Sequence, residues 1–259
     1  MFGSIYIIYR TICDANMRQK YIITEFIKSK ELEDIKEQLN HVSWKSGLDS
    51  ICGDQNNIPS NYKSNLETNL LDYESWNNAI YNNFSFHNFT VTKGWSNIFI
   101  SRMKEGDYYK PHVDEHIMDD ILSHYSTTVF LNNPDEYDGG ELSLYIDGKI
   151  KNFKLNAGHA ITYETGIPHC VNEVTRGCRD VLAFWCESHI SDMNDLDALR
   201  YYSKMQKNVE SKNNYKVFDC LEDYVGSDFY QFQSKTNRIL KKYGLRTDVV
   251  ESMKRALFL

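Results

Sequence analysis

The chain of 259 residues has no run approaching the ~20 apolar residues of a membrane-spanning helix, no Cys-x-x-Cys pair, no repeat or low-complexity block and no excess of basic charge. Each absence excludes something. The apolar stretch at Phe2, Ile5, Tyr6, Ile7, Ile8 and Tyr9 is short, and its basic residue, Arg10, follows it. That is the wrong order for a secretory signal, and the N-terminus reads as a strand. The six cysteines (Cys13, Cys52, Cys170, Cys178, Cys186, Cys220) read as reduced thiols of a cytoplasmic protein rather than a disulfide framework. A formal net charge of −7 argues against a general phosphate-binding surface, so neither nucleic acid nor membrane is an expected partner. A local basic groove stays open.

Hydrophobic spacing divides what is there into three parts, 1–94, 95–188 and 189–259. In the first, 21–27 is β-branched and aromatic and is expected as a strand. Ser29 is placed to cap a helix with Leu32, Ile35 and Leu39 at helical spacing. Residues 47–65 are polar and loop-like. Helical spacing returns over 66–84, with Leu70, Tyr73, Ile80, Tyr81 and Phe84 as the buried stripe.

From Trp95 the period drops to two, predicting strands at 95–103, 126–131, 141–146, 151–155, 160–163, 171–174 and 181–186. Asp147-Gly148 is a strong hairpin signal, and Asp138-Gly139-Gly140 and Gly158 mark further turns. Many short strands at this spacing predict a sandwich or barrel of the jelly-roll kind. Helical spacing resumes over 192–205, 228–243 and from Thr247, giving a helical extension whose apolar stripe (Phe229, Phe232, Ile239, Leu240) is a docked face or a homodimer surface.

The β region carries metal chemistry. His112-Val113-Asp114 places an imidazole and a carboxylate two apart, on one face of a strand, and His169 is expected from a facing strand. Two imidazoles and a carboxylate fill one face of an octahedral Fe(II) and leave three positions open. Arg179, ten residues after His169, offers the guanidinium that pairs bidentately with a carboxylate. Arg176 is its competitor, for substrate or solvent, and His116 is the rival ligand. Cys170 is expected on the other strand face, Trp185 in the core, and Asp119-Asp120 in a solvated loop that closes over substrate. His41, His87, His124, His159 and His189 carry no ligand pattern.

Read together, Asn97-Ile-Phe-Ile-Ser-Arg102, Gly106, Tyr109, His112-Val-Asp114, Thr128-Val-Phe-Leu-Asn132, Tyr137-Asp-Gly-Gly-Glu-Leu142, Ala157-Gly158, Tyr163, Pro168-His169-Cys-Val171, Val174-Thr-Arg-Gly177, Arg179 and Phe184-Trp185 resemble the Fe(II)/2-oxoglutarate-dependent dioxygenases. The similarity is to the prolyl 4-hydroxylase-like group that includes the PKHD-type hydroxylases, with fainter echoes at Trp44-Lys-Ser-Gly47 and Lys63-Ser-Asn65. It is strong over 95–188 and does not explain 206–259.

The resemblance implies a mainly β (α+β) fold with a double-stranded β-helix core and flanking helices. It makes His112, Asp114 and His169 the iron ligands, Arg179 the partner of the 2-oxoglutarate C5 carboxylate, and Tyr109 an aromatic wall of the cofactor pocket. Met103 stands where related enzymes carry tyrosine, so a cofactor hydrogen bond is either missing or supplied by Ser126, Thr128 or Tyr163; Phe130 also replaces a tyrosine of some relatives. The implied cofactors are Fe(II), 2-oxoglutarate and O2, with ascorbate as an accessory reductant.

The implied reaction hydroxylates an unactivated C–H with release of succinate and CO2, on a prolyl or other amino-acid residue of a protein or peptide. Asp114 favours hydroxylation over halogenation, which needs that position vacant. A free amino acid or small metabolite as substrate, and a non-catalytic cupin-like metal-binding jelly roll, are the competing readings.

Overall fold

The computed structural model describes residues 19–50, 63–69, 73–200 and 238–245. The expected N-terminal strand, most of the loop before Lys63 and most of the helical extension, with its dimer reading, lie outside them.

In chain order the strands are β1 (Tyr21–Glu25), β2 (Lys45–Ser46), β3 (Lys63–Ser64), β4 (Leu66–Asn69), β5 (Thr92–Trp95), β6 (Phe99–Lys104), β7 (Tyr108–His112), β8 (Ile117–Met118) and β9 (Ile121–Leu122). They continue as β10 (Tyr125–Phe130), β11 (Tyr137–Gly139), β12 (Leu142–Ile146), β13 (Lys149–Phe153), β14 (His159–Glu164), β15 (His169–Val171) and β16 (Val174–Ser188). Helices α1 (Ser29–Gln38), α2 (Tyr73–Tyr81) and α3 (Phe84–Thr90) lie between β1 and β5.

A nine-stranded sheet runs β1-β14-β10-β16-β6-β4-β2, with β11 and β5 also on β16, and a five-stranded sheet runs β13-β12-β15-β7-β3. Met103, Phe130, Leu144, Ile161, Tyr163 and Val181, drawn from both sheets, belong to one buried cluster. This is the two-sheet jelly roll that the strand spacing predicts, and every strand pair is antiparallel.

Central β10 (YSTTVF) is buried at all six positions. Both its faces are covered, so it lacks the polar alternation of a half-solvated strand. One cover is α3: Phe86 packs edge-on against Phe26 and Phe184, and Phe89 meets Tyr125 at a 5.2 Å centroid distance. Two phenylalanines buried this way contribute roughly 1.5–3 kcal/mol each.

The turn chemistry holds where it was strongest. Asp147 (φ 52°) and Gly148 (φ 76°) both take positive φ and close the β12–β13 hairpin. Asp119 (φ 48°) and Asp120 (φ 64°) do the same between β8 and β9, so the expected loop is a tight hairpin. Asp119 Oδ2 accepts from the Asn97 amide at 2.9 Å.

The expected helix over 66–84 is three elements. Leu66–Asn69 is a strand, because β6 offers Phe99–Arg102 as a ladder partner. Asn83 then stops helical continuity: its side chain accepts from Phe86 N at 2.9 Å and starts α3 afresh. α1 begins at Ser29 with Lys28 as its N-cap, whose amide donates to Glu31 at 3.1 Å.

The described residues form two units, one comprising 21–191 with 240–245 and the other 19–20, 192–200 and 238–239. In the smaller, 193–200 is helical and Arg200 bonds to Asp197. Among the described residues no helix is long and apolar enough to cross a membrane.

Candidate active site

β7 and β15 are adjacent antiparallel strands of the smaller sheet, and their register sets His112 directly opposite His169. The second histidine therefore comes from the neighbouring strand, not a facing one. Asp114 lies two residues beyond the end of β7. Its Oδ1 is 3.5 Å from Nε2 of His112 and 3.5 Å from Nε2 of His169, and among the described residues these three form the one cluster able to hold a metal ion. His116 is exposed and outside it.

Backbone carbonyls set which nitrogen faces the cluster. Nδ1 of His112 bonds to Lys110 O at 2.7 Å, and Nδ1 of His169 to Ile167 O at 2.9 Å. A carbonyl only accepts, so each Nδ1 carries its proton and Nε2 presents a lone pair. Tyr109 stacks on His112 at 3.7 Å and 18°.

The second oxygen of Asp114 belongs to the larger sheet. Ser126 Oγ donates to Oδ2 at 2.6 Å and Trp185 Nε1 donates to it at 3.0 Å. Burial alone would push the Asp114 carboxyl upward, but the adjacent His112 and His169 imidazoles and the bond from Ser126 outweigh it and hold it far below the usual carboxylate range. For His169, burial disfavours the cation, yet the Asp114 carboxylate prevails and raises it above its ordinary value. Trp185, expected as core, is thus a partner of the site's carboxylate, braced by Phe99 stacked at 5.7 Å. Ser126, one of three candidates for a cofactor bond, is engaged by Asp114 instead.

The pocket in front of the cluster is open, with a cavity volume of about 90 Å³, and Tyr109, Thr128, Tyr163 and Arg179 all line it. Arg179 is 2% exposed, the largest of the fully buried side chains. Its Nε has no hydrogen-bond partner among the described residues, and burial pushes it below the usual guanidinium range. The neighbouring Asp180 is held bidentately by Arg102 at 2.8 and 2.7 Å. A buried, planar guanidinium lining a pocket, with its Nε unpartnered among the described residues, has the geometry that suits a carboxylate.

Arg176, the competitor, sits outside the pocket on the surface, paired with Asp138 at 2.6 Å. Burial, with the charge of Asp114, drives the Tyr163 hydroxyl well above the usual phenol range, so it stays a proton donor. Gly140 makes room for the arginine: a Cβ there would sit 3.0 Å from Arg179 Cδ and 3.1 Å from the Tyr137 ring. Met103 is buried in the pocket wall and brings no hydrogen bond.

Residues 98–187 match the sequence model of the 2OG-Fe(II) oxygenase superfamily. A PKHD-type hydroxylase of Colwellia psychrerythraea is 31% identical over 174 residues, covering 65% of this chain and 78% of that relative. One of Prochlorococcus marinus is 32% identical over 158 residues, covering 59% and 70%. Among solved structures, a prolyl-4-hydroxylase of Pseudomonas putida aligns at a TM-score of 0.50 with 15% identity, covering 69% of this chain and 98% of its own. A prolyl hydroxylase of Trichoplax adhaerens, solved with a hypoxia inducible factor peptide fragment, aligns at 0.51 with 14% identity, covering 77% and 96%. At these identities the structures speak to the fold, a double-stranded β-helix core.

Proposed function

Because the chain belongs to the PKHD-type hydroxylases of the 2OG-Fe(II) oxygenase superfamily, we propose that His112, Asp114 and His169 hold its iron and that Arg179 holds the C5 carboxylate of 2-oxoglutarate. The enzyme is an Fe(II)- and 2-oxoglutarate-dependent dioxygenase that hydroxylates its substrate. With O2, the iron and the cosubstrate supply the C–H-oxidising chemistry, 2-oxoglutarate ending as succinate and CO2.

The chain's own part is positioning. Lys110 O and Ile167 O fix the tautomers that aim both Nε2 lone pairs at one point. Ser126 and Trp185 occupy Oδ2 of Asp114 and reserve Oδ1 for the metal. Tyr109 holds the His112 ring flat, while Thr128 and the protonated Tyr163 hydroxyl offer the cosubstrate its polar wall. We place the catalytic core at 95–188, which contains all of these residues. The observation that carries the assignment is a two-histidine, one-carboxylate cluster in a pocket also lined by a buried arginine whose Nε has no partner among the described residues.

An anaerobic titration with Fe(II) and 2-oxoglutarate tests it. Wild type should develop the visible metal-to-ligand charge-transfer band, His169→Ala should lose it, and Arg179→Met should weaken it. An iron-loaded, folded wild type with no band would sink the assignment. For substrate we propose an amino-acid residue, prolyl or other, within a peptide. The prolyl hydroxylase among the fold relatives, solved with a peptide, supports that class.

A further inference from the structure

A second polar feature of the same pocket lies outside the metal cluster. Lys63 and Glu67 are 6% and 8% exposed, and both form pocket wall. Lys63 Nζ lies 2.5 Å from Glu67 Oε1, and Asn65 Nδ2 donates to that same oxygen at 3.1 Å. Among the described residues Glu67 Oε2 accepts no hydrogen bond. The ammonium sits 4.8 Å over the ring of Tyr109, its cross-strand partner.

We propose that Lys63 and Glu67 form a clamp for a backbone amide of a peptide substrate, with Glu67 Oε2 accepting the amide N–H and the ammonium facing the carbonyl end of the same dipole. The proposal rests on the pocket being the hydroxylase site.

Charge bookkeeping selects an amide. A lone lysine here would call for a carboxylate, and a lone glutamate for an ammonium. Paired, they present a donor and an acceptor with no net charge, which matches a neutral dipole. A free amino acid would bring two full charges into a wall whose own charges already neutralise each other, and would have to break a short ion pair to be satisfied.

The rival is a structural staple, because the chain crosses at Asn65 from β3 in the smaller sheet to β4 in the larger. Replacing a buried ion pair by apolar residues of similar volume is often neutral for folding, whereas removing one partner strands a charge. The informative variant is therefore the double one, Lys63→Met/Glu67→Leu.

The full chain is loaded anaerobically with Fe(II) and 2-oxoglutarate and titrated calorimetrically. The probe is a set of N-acetylated, C-amidated pentapeptides that differ only at the central residue, run against the corresponding free amino acids. Because every capped peptide carries the amide, all should bind, and about tenfold more tightly than the free amino acids, the worth of one hydrogen bond to a charged group.

In the double variant peptide affinity should fall by about tenfold or more, while the 2-oxoglutarate charge-transfer band keeps its wild-type intensity. Glu67→Gln, which retains an acceptor oxygen, should lose less. Equal binding of free amino acids, no binding by any capped peptide, or undiminished peptide affinity in the double variant would each overturn the clamp. A weakened band in that variant would assign the pair to supporting Tyr109 and His112, and would overturn it too. A wild type without the band fails one step earlier, at the pocket assignment, and takes the clamp with it.

Discussion

Arg179→Met should act with opposite signs on the empty and the loaded protein. The guanidinium is 2% exposed, its Nε is unpartnered, and the carboxylate next to it in sequence is spent on Arg102. An uncompensated buried cation costs the empty fold several kcal/mol, and methionine refills much of the volume against Phe130, whose ring centre lies 5.4 Å from the guanidinium carbon.

Allowing for lost packing, we expect a net gain of about 2 kcal/mol, or roughly 4–8 °C in melting temperature for a domain of this size. Two charge-assisted hydrogen bonds to 2-oxoglutarate, at about 1.5–3 kcal/mol each, vanish at the same time, weakening its binding by roughly 10²–10⁴-fold. In wild type, cosubstrate at about a hundred times its Kd adds ≈ 2.7 kcal/mol; in the variant, the same concentration adds almost nothing. Anaerobic scanning fluorimetry of both proteins, with Fe(II) and with or without 2-oxoglutarate, measures all four numbers. A variant that melts below wild type without cosubstrate would mean that the cation is already compensated. One that keeps the wild-type shift would mean that the carboxylate binds elsewhere.

Trp185→Phe removes one of two bonds to Asp114 Oδ2 and should weaken Fe(II) binding about 10–100-fold, read by competition with a chelating dye; unchanged affinity would remove the residue from the site. Gly140→Ala places a Cβ at φ +66° and against Arg179, so it should cost about 1–2 kcal/mol in urea unfolding and reduce 2-oxoglutarate affinity together; a loss of stability alone would refute the link to the arginine. His169 has a raised folded pKa, so in metal-free protein its stabilising contribution is full at low pH and is lost as pH rises through that value; iron competes with the same proton. Fe(II) affinity should therefore climb as pH rises through the raised His169 value, and a flat profile across that rise would contradict the Asp114–His169 coupling. Burial raises Cys178 to about 11 and Cys186 to about 12, so iodoacetamide near neutral pH should spare both in the native protein, as peptide mapping would show.

Sequence spacing found the parts of the site that are local. His112 and Asp114 are two residues apart, and the motif order over 95–188 supplied His169 and Arg179. It missed what depends on distant pairing. Trp185 read as core because its role is a bond to a carboxylate 71 positions away in the chain. Ser126 was weighed for the cofactor because nothing local shows that Asp114 folds back onto β10. Leu66–Asn69 carries too few residues for its period to be read, and only its ladder with β6 makes it a strand. Lys63 and Glu67, likewise, lie in or beside a polar stretch that carried no periodic signal.

β16 carries Arg179 and Trp185 six residues apart, an even step that turns both side chains into the same pocket, about 20 Å apart along the backbone at ~3.3 Å per residue. The strand is therefore a ruler. It spaces the Arg179 cation against the indole that bonds to Asp114. Its register is held by the β6 ladder over Cys178–Ala183 and the β10 ladder over Val181–Cys186. Moving the Arg179 cation relative to Trp185 along this strand would take a change in its length between them. With Arg179 and Asp114 in their proposed roles, the reach between them is set by backbone register, leaving the side chains of the open end to vary with the molecule being hydroxylated.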